Sequence, residues 1–367
     1  MKVGILTHPL HGNYGGILQA WAMQRILKKR GYKVETFDIR IRLSRGRELI
    51  AAFNRLILKI LRRYEGPIFC EYAMRRYWYG IRQDLLSFIK KNISLKRYDT
   101  IKDIPSGKYD IILVGSDQVW RDIYISYLFH THDCEDVFLY NIAHSSRKVA
   151  YAASLGVDAW SYSTTETERI RQALSRFYAV SVRETSGVKL LAEHASCNAQ
   201  WVLDPTMLVD ADEYRDLYKK KEVGAKYKDS VVSYILDSTP DKENLIKRVA
   251  LSLNVEMHEL KRAEDVRQLS IEEWLYAIDQ ARIIVTDSFH GCVFSIIFRK
   301  PLIFVMNQDR GNARFDSLIE KFKLGNNLVT TSQDLEPDKD YHLPSDIDIL
   351  LRQYRDESQA FLDKALS

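Results

Sequence analysis

The chain has 367 residues, 46% of them hydrophobic, with 54 basic against 49 acidic side chains and a formal net charge of +5. Such a length and apolar content suit one large or two medium α/β domains with real cores, and the mild charge argues against a nucleic-acid partner. Cys70, Cys134, Cys197 and Cys292 lie far apart with no CxxC spacing, which argues against a disulfide framework or structural zinc and for a reducing compartment.

Residues 2–7 read as a strand, with no apolar signal segment and no membrane-spanning run later in the chain, so a cytoplasmic protein is expected. A loop follows over 8–16, then a helix over about 17–30, Gly31 as its stop, and a strand over 33–38. The loop, His8-Pro-Leu-His-Gly-Asn-Tyr-Gly-Gly16, carries glycines before a helix start, a layout that can cradle an anion. It matches neither a dinucleotide fingerprint nor a P-loop, and a tight strand-to-helix turn explains it as well.

From Arg40 to about Tyr98 the pattern is helical, basic and aromatic, without strand signal. Residues 40–64 hold eight Arg or Lys against one acid, Glu48, with Leu49, Ile50, Phe53, Leu56, Ile57, Ile60 and Leu61 at helical spacing. Two readings stay open: a helix that lies on an anionic membrane surface, or a solvated helix that covers a sheet.

Strands resume at 109–114, 148–153, 178–182 and 200–203, with helices at 163–177 and 185–195 between them. Gly115-Ser-Asp-Gln-Val-Trp120 follows the first of these strands. Its carboxylate, amide and indole suit a sugar site, or else a polar turn with a core tryptophan. Arg183, ending a strand beside a helix start, needs a partner such as Glu184 or a ligand anion. His130-Thr-His-Asp-Cys-Glu135 resembles a metal cluster, but no third ligand is fixed by spacing, so a surface loop is expected and no metal.

Residues 211–228 suit a helix and linker. A second α/β series follows: strand 231–236, helix 241–253, strand 255–259, helix 271–281 and strand 283–285. Asp287 and Ser288 then cap an apolar helix to Phe298, Pro301 ends it, and 302–305 is the next strand. His290 falls in the first turn of that helix, where backbone N–H groups and the dipole favour an anion and an imidazole can move a proton. Residues 324–346 read mostly as loop and 347–365 as an amphipathic helix. The alternation implies two Rossmann-like domains facing across a cleft: 1–210 with the helical insertion at about 40–98, then 211–346, then a C-terminal helix over 347–367.

Gly12-Asn-Tyr-Gly-Gly-Ile-Leu-Gln-Ala20, Gly115-Ser-Asp-Gln-Val-Trp120, Ser181-Val-Arg-Glu184, Leu203-Asp-Pro205 and Asp287-Ser-Phe-His-Gly291, taken in order, resemble the polysaccharide pyruvyl transferase family. The resemblance runs from residue 1 to about 325. It implies a GT-B-like fold and transfer of the pyruvyl group of phosphoenolpyruvate onto two hydroxyls of a sugar, as a cyclic ketal, with no further cofactor. It also implies a sugar or lipid-linked oligosaccharide acceptor at the inner face of the cytoplasmic membrane.

By that resemblance Arg183 holds the donor's anionic groups and His290 is the histidine of the family's Arg-Leu-His-type element. Ser288 and Phe289 stand here where Arg and Leu are common, so Arg310 and Arg314 are expected to supply the missing charge. Proton transfer falls to His290, with Asp117 and Asp287 as partners, and Ser288 and Gly291 complete the donor side. His8, Asn13, Tyr14, Gly15, Gly16, Gln19 and Trp120 are the expected acceptor side. A glycosyltransferase using a nucleotide sugar, or a non-catalytic carbohydrate-binding protein, are the alternatives.

Overall fold

The computed structural model describes every residue except 41–44, 130, 143, 220–223, 262–265 and 307–312. Among the described residues two parallel sheets form. The first is seven-stranded, in the order β3-β2-β1-β4-β5-β6-β7, from β1 (Lys2–Leu6), β2 (Lys33–Ile39), β3 (Leu95–Tyr98), β4 (Ile111–Val114), β5 (Arg147–Ala153), β6 (Ala179–Val182) and β7 (Gln200–Trp201). The second is five-stranded, in the order β12-β11-β10-β8-β9, from β8 (Val231–Tyr234), β9 (Met257–Glu259), β10 (Ile283–Thr286), β11 (Leu302–Val305) and β12 (Leu328–Val329). The central strands β4 and β10, Ile-Ile-Leu-Val and Ile-Ile-Val-Thr, are wholly buried, as parallel strands covered on both faces must be.

Each order reverses direction once, between β1 and β4 in the first sheet and between β8 and β10 in the second. Ligands in open α/β sheets bind outside the strand carboxyl ends at such switch points. The chain turns both toward each other, which gives the GT-B-like architecture.

The two halves share one apolar core. Helix α1 (Tyr14–Lys29) is buried along most of its length because the second domain covers the face that the sheet leaves free. Tyr14 stacks on Trp274 at 5.5 Å between centroids, and Tyr214 packs edge-on to Phe294 at 5.0 Å. Helix α10 (Phe289–Phe298) is apolar on every side because it lies in this shared core. The terminal helix α12 (Ile347–Leu366) returns to the first domain, where Leu203 N–H donates to Ser358 Oγ at 3.0 Å and Tyr32 Oη to the Leu366 carbonyl at 3.1 Å.

Three sequence expectations need correction. Helix α1 begins at Tyr14, so Gly15 and Gly16 form its first turn rather than a preceding loop. The insertion does hold a strand, β3, whose outward Lys96 and Arg97 mask it and suit an edge position. Residues 131–136 are no surface loop: Thr131, Cys134, Glu135 and Asp136 are buried, with Thr131 Oγ1 donating to Asp136 and Arg169 pairing with Glu135. His130 lies outside the described residues. Residues 324–346 are mostly loop, with the short β12 extending the second sheet within them.

The insertion's helices, α2 (Arg45–Ile60) and α3 (Cys70–Asn92), are pinned to each other by Arg55–Glu71 and Arg75–Glu48 ion pairs. Among the described residues of α2 only Ala52 is buried, while Leu49, Ile50, Phe53 and Ile60 are exposed, so this helix does not cover the sheet. No helix among the described residues is long and apolar enough to cross a membrane.

Trp274 is fully buried between the domains, so Trp274→Ala should cost about 3–5 kcal/mol. Urea denaturation read by circular dichroism checks this, and a loss below about 1 kcal/mol would mean the domains do not depend on that contact.

Candidate active site

Every polar residue of interest sits at a strand's carboxyl end. His8 follows β1, Asp117 follows β4, Arg183 and Glu184 follow β6, Asp204 follows β7, and His290 opens α10 after β10. Arg314 comes from the first turn of α11 (Ala313–Phe322). All seven are either buried or, for His8, nearly so.

Arg183 is the hub. Its Nη1 lies 3.1 Å from Asp204 Oδ2 and 3.2 Å from Ser116 Oγ, and its Nη2 lies 3.5 Å from Asp117 Oδ1. The same Asp204 oxygen accepts from Ser116 Oγ at 2.7 Å and lies 3.8 Å from His290 Nε2. Its other oxygen accepts from Thr206 N–H and Oγ1 at 3.0 and 2.7 Å. Asp117 in turn faces His8 Nδ1 at 3.5 Å. Two His–Asp pairs therefore meet through one guanidinium, one histidine from each domain.

Phe289 lies against both cations, with its ring centre 4.8 Å from the Arg183 guanidinium and 5.7 Å from that of Arg314. An aromatic face can hold two like charges in a dry site that neither would enter alone. Glu184 accepts from Leu155 N–H at 2.6 Å and Gly156 N–H at 3.0 Å, which fixes the turn after β5.

Burial pushes the His290 imidazole down to about 4, and Arg183 and Arg314 add to that against Asp204 and Asp117. Burial would raise Asp117, but His8, Arg183 and His290 outweigh it and hold the carboxyl well below its usual range. Asp204 is lowered in the same way: burial opposes its charge, while His290, Arg183 and the Ser116 and Thr206 hydroxyls favour it. With His290 neutral near pH 7, the guanidinium and the hydroxyls carry most of that effect. Arg314 falls to about 10 through burial and its neighbour Arg183.

The cluster is under strain and incompletely satisfied. Asp117 has a φ of 101°, uncommon for a residue with a side chain and of the kind held only where surroundings over-determine it. His8 Nε2, His290 Nε2, Arg183 Nε and Nη2, and Asp117 Oδ2 are buried without a hydrogen bond. Native cores rarely hold several such atoms in one place.

Gly15 joins the halves. A Cβ there would lie 2.0 Å from His290 Nδ1, so only glycine lets α1 and α10 start this close together. Gly16 lies on the same turn beside Asn13 and Asp117.

Other expected residues are placed elsewhere. Asp287 turns away from His290: its carboxylate accepts from Leu236 and Asp237 N–H and pairs with Lys242 Nζ at 2.8 Å, which ties the β8 and β10 turns together. Trp120 is fully buried, stacked on Phe138 with Nε1 donating to the Val137 carbonyl, so no face is left for a sugar. Gln19 donates to Thr7 Oγ1, which donates to the Ser116 carbonyl, and so props the Asp117 turn. Tyr14 belongs to the domain contact, with Oη donating to the Leu269 carbonyl at 3.1 Å. Ser288 N–H donates to Thr286 Oγ1, and Gly291 packs on the Thr286 side chain. Arg310 lies outside the described residues. The carboxylate that Leu203-Asp-Pro205 contributes had no role assigned from sequence, although an aspartate at a strand end before proline was the available signal.

A family model for polysaccharide pyruvyl transferase matches residues 13–309. The chain belongs to this family. The match takes in Asn13, Asp117, Arg183, Asp204 and His290, while His8 and Arg314 lie outside it. No curated protein matches the chain significantly. Solved structures similar to this pyruvyl transferase family member include a putative UDP-N-acetylglucosamine 2-epimerase from Listeria monocytogenes, at 11% identity and a TM-score of 0.46 over 99% of this chain and 90% of that one. A UDP-GlcNAc 2-epimerase from Neisseria meningitidis matches at 10% and 0.46 over 100% and 94%. An E. coli heptosyltransferase with ADP matches at 11% and 0.41 over 98% and 100%. Among the described residues no group of three or more His, Cys, Asp and Glu is placed to hold a metal.

The lowered His290 gives a stability prediction for this family member. A histidine with a folded value of about 4 against 6.5 for the free side chain binds its proton less well folded than unfolded. Stability should be full above pH 6.5 and fall as pH drops from there toward 4, by an amount on the order of 3 kcal/mol. His290→Gln should flatten that slope in urea titrations between pH 7 and 4.5; an unchanged slope would place the titration elsewhere.

Proposed function

We propose that this chain transfers the pyruvyl group of phosphoenolpyruvate onto two hydroxyls of a sugar in a surface polysaccharide or its lipid-linked precursor, without a further cofactor. One observation carries the reading: two buried guanidiniums, Arg183 and Arg314, lie near a neutral His290 in one cluster, where Arg183 Nε and Nη2 and His290 Nε2 make no hydrogen bond. A compact anion with many acceptor oxygens would satisfy it.

Phosphoenolpyruvate carries about three negative charges, two on phosphate and one on carboxylate. Asp117 and Asp204 already balance Arg183 and Arg314, so the donor is best accommodated with proton uptake. His290 is the group suited to it, since a nearby trianion raises an imidazole that burial had lowered. Once protonated it can act as general acid.

The chemistry then runs between the two histidines. His290 gives its proton to the methylene carbon, leaving an oxocarbenium-like centre. His8, oriented by Asp117, takes the proton of the first sugar hydroxyl as its oxygen bonds to that centre. The second hydroxyl then displaces phosphate, which leaves with the bonding electron pair, while the hydroxyl's proton passes to the now neutral His290 and the ketal closes. Asp204 and Arg183 position the imidazole and the donor.

The acceptor is proposed to be membrane-bound, at the inner face of the cytoplasmic membrane. The exposed Leu49, Ile50, Phe53, Ile60 and Leu61 of the insertion, with Phe69 and Tyr72 opposite, form an apolar surface beside the exposed Arg62 and Arg63. Apolar insertion plus cationic attraction is how interfacial helices hold anionic bilayers.

Phosphoenolpyruvate should raise the melting temperature, and UDP-glucose should do so less; the reverse ranking would favour a nucleotide-sugar enzyme. Arg314→Gln should weaken donor binding by about 1.5–3 kcal/mol. His290→Gln should cut turnover by about 10²–10⁴-fold and abolish proton uptake on donor binding, read by calorimetry in buffers of different ionisation enthalpy.

Binding to anionic vesicles should fall with salt and with Lys59, Arg62 and Arg63 changed to glutamine, each contributing about 1 kcal/mol. Arg55 is left out because Glu71 already neutralises it. Sedimentation that ignores both lipid charge and these changes would leave the insertion without a membrane role.

A further inference from the structure

A cavity of about 470 Å³ opens between the insertion, the start of α1 and the carboxyl end of β8. Trp78 and Arg82 of α3 form one wall, Tyr127 of α4 (Asp122–Phe129) a second, and His11 and Lys261 complete it. Its floor includes Gly12, Asn13 and Tyr14, the segment whose next residue, Gly15, touches His290. The cavity is thus next door to the two-histidine cluster and shares a wall with it.

Its chemistry is one-sided. Arg82, Lys261 and His11 can be cationic, and none of the described lining residues is a carboxylate. The Arg82 guanidinium lies 4.5 Å over the Trp78 ring, which holds it flat, a form suited to bidentate recognition of a phosphate. Tyr127, on the rim, is 76% exposed and offers an aromatic face to a sugar ring. The wall is also firmly placed: Gln268 N–H donates to the Ile81 carbonyl at 2.9 Å and Arg267 grips Asp84 at 2.8 Å, so α3 bridges both domains.

Position adds a second argument. The exposed Tyr72 at the start of α3 and Arg82 are ten residues apart on one continuous helix, a distance of about 15 Å. A bilayer against the exposed end of the insertion would therefore leave its headgroups within reach of Arg82. A sugar joined to lipid through phosphate has its charge next to the anchor and its ring beyond.

We infer that this cavity is an acceptor subsite that binds the phosphate of a glycosyl phosphate through Arg82 and Lys261 and packs the adjoining sugar ring against Trp78 and Tyr127. It rests on the transferase reading above, whose acceptor it would hold. The phosphate then sets the register of the saccharide, and the hydroxyl pair to be bridged is the one that reaches past Asn13 to His8 and His290. Specificity follows from distance along the saccharide as well as from the sugar's identity.

Calorimetric titration of the intact protein with glucose, galactose, mannose and N-acetylglucosamine 1-phosphates tests this, alongside the free sugars and UDP-glucose. At least one hexose 1-phosphate should bind, about tenfold or more tighter than its free sugar. Arg82→Gln combined with Lys261→Gln should bring it down to the free sugar's level, while Trp78→Ala should weaken both forms. The rise in melting temperature with phosphoenolpyruvate should persist in all these variants, which also reports that they are folded.

Failure of every hexose 1-phosphate to bind, binding unchanged by the Arg82 and Lys261 changes, or tighter binding of UDP-glucose would each overturn the assignment. If the phosphoenolpyruvate response is intact in those cases, the transferase reading stands without this subsite. Loss of that response in the wild type, with Arg82-dependent sugar-phosphate binding retained, would instead remove the donor reading and leave the subsite.

Discussion

The structure depends on bringing charged groups together away from water. Arg183 and Asp204 pair where neither is exposed, and His290, Asp117, His8 and Arg314 gather around them. Such burial is costly, and a buried pair seldom returns more than apolar packing would. Here several atoms also make no hydrogen bond, so the cluster is a poor solution for stability alone. Under the proposed transferase reading it is preorganisation: donors and acceptors fixed where a ligand would meet them without rearrangement. The left-handed backbone at Asp117 belongs to the same account, since that turn aims the carboxylate at His8 and Arg183 rather than into its own loop.

What makes the cluster possible is the facing of two switch points across a shared apolar core. Relative motion is the ordinary expectation for two domains unless their interface is large and hydrophobic. This one is: α1, α10 and the aromatic set of Tyr14, Trp274, Tyr214 and Phe294 form one continuous core, and α12 straps the end of the chain back onto the first domain. Gly15 sets the closest approach. The placement of His8 and His290 is thereby fixed mainly by packing between the domains, to which His290 adds its contact with Gly15.

The strand ends were legible in the sequence because parallel strands of β-branched residues and the proline and cap signals after them mark where each turn falls. Helix α10 and its histidine were readable for that reason. Roles within the cluster were less so, because they depend on which turns face each other. Asp117 and Asp287 look alike in sequence, each an aspartate just after a buried strand. The fold points one at His8 and Arg183 and gives the other to Lys242 and two backbone amides. Trp120 was ambiguous between ligand and core, and neighbours from residues 137–138 decide for core. Asp204 was missed because its partners come from three other turns.

Phe289 shows how one ring can bear on two buried charges. Position 288 is serine, and Arg314 from the next helix brings its guanidinium to 5.7 Å from the Phe289 ring centre. Two guanidiniums near one another repel, and burial strengthens that repulsion by removing water's screening. A phenyl ring in contact with both offsets part of it, since each cation lies over the ring and meets the negative face of the π system. A leucine would fill the space without that effect. The aromatic at 289 therefore couples Arg183 of the first domain to Arg314 of the second through one ring.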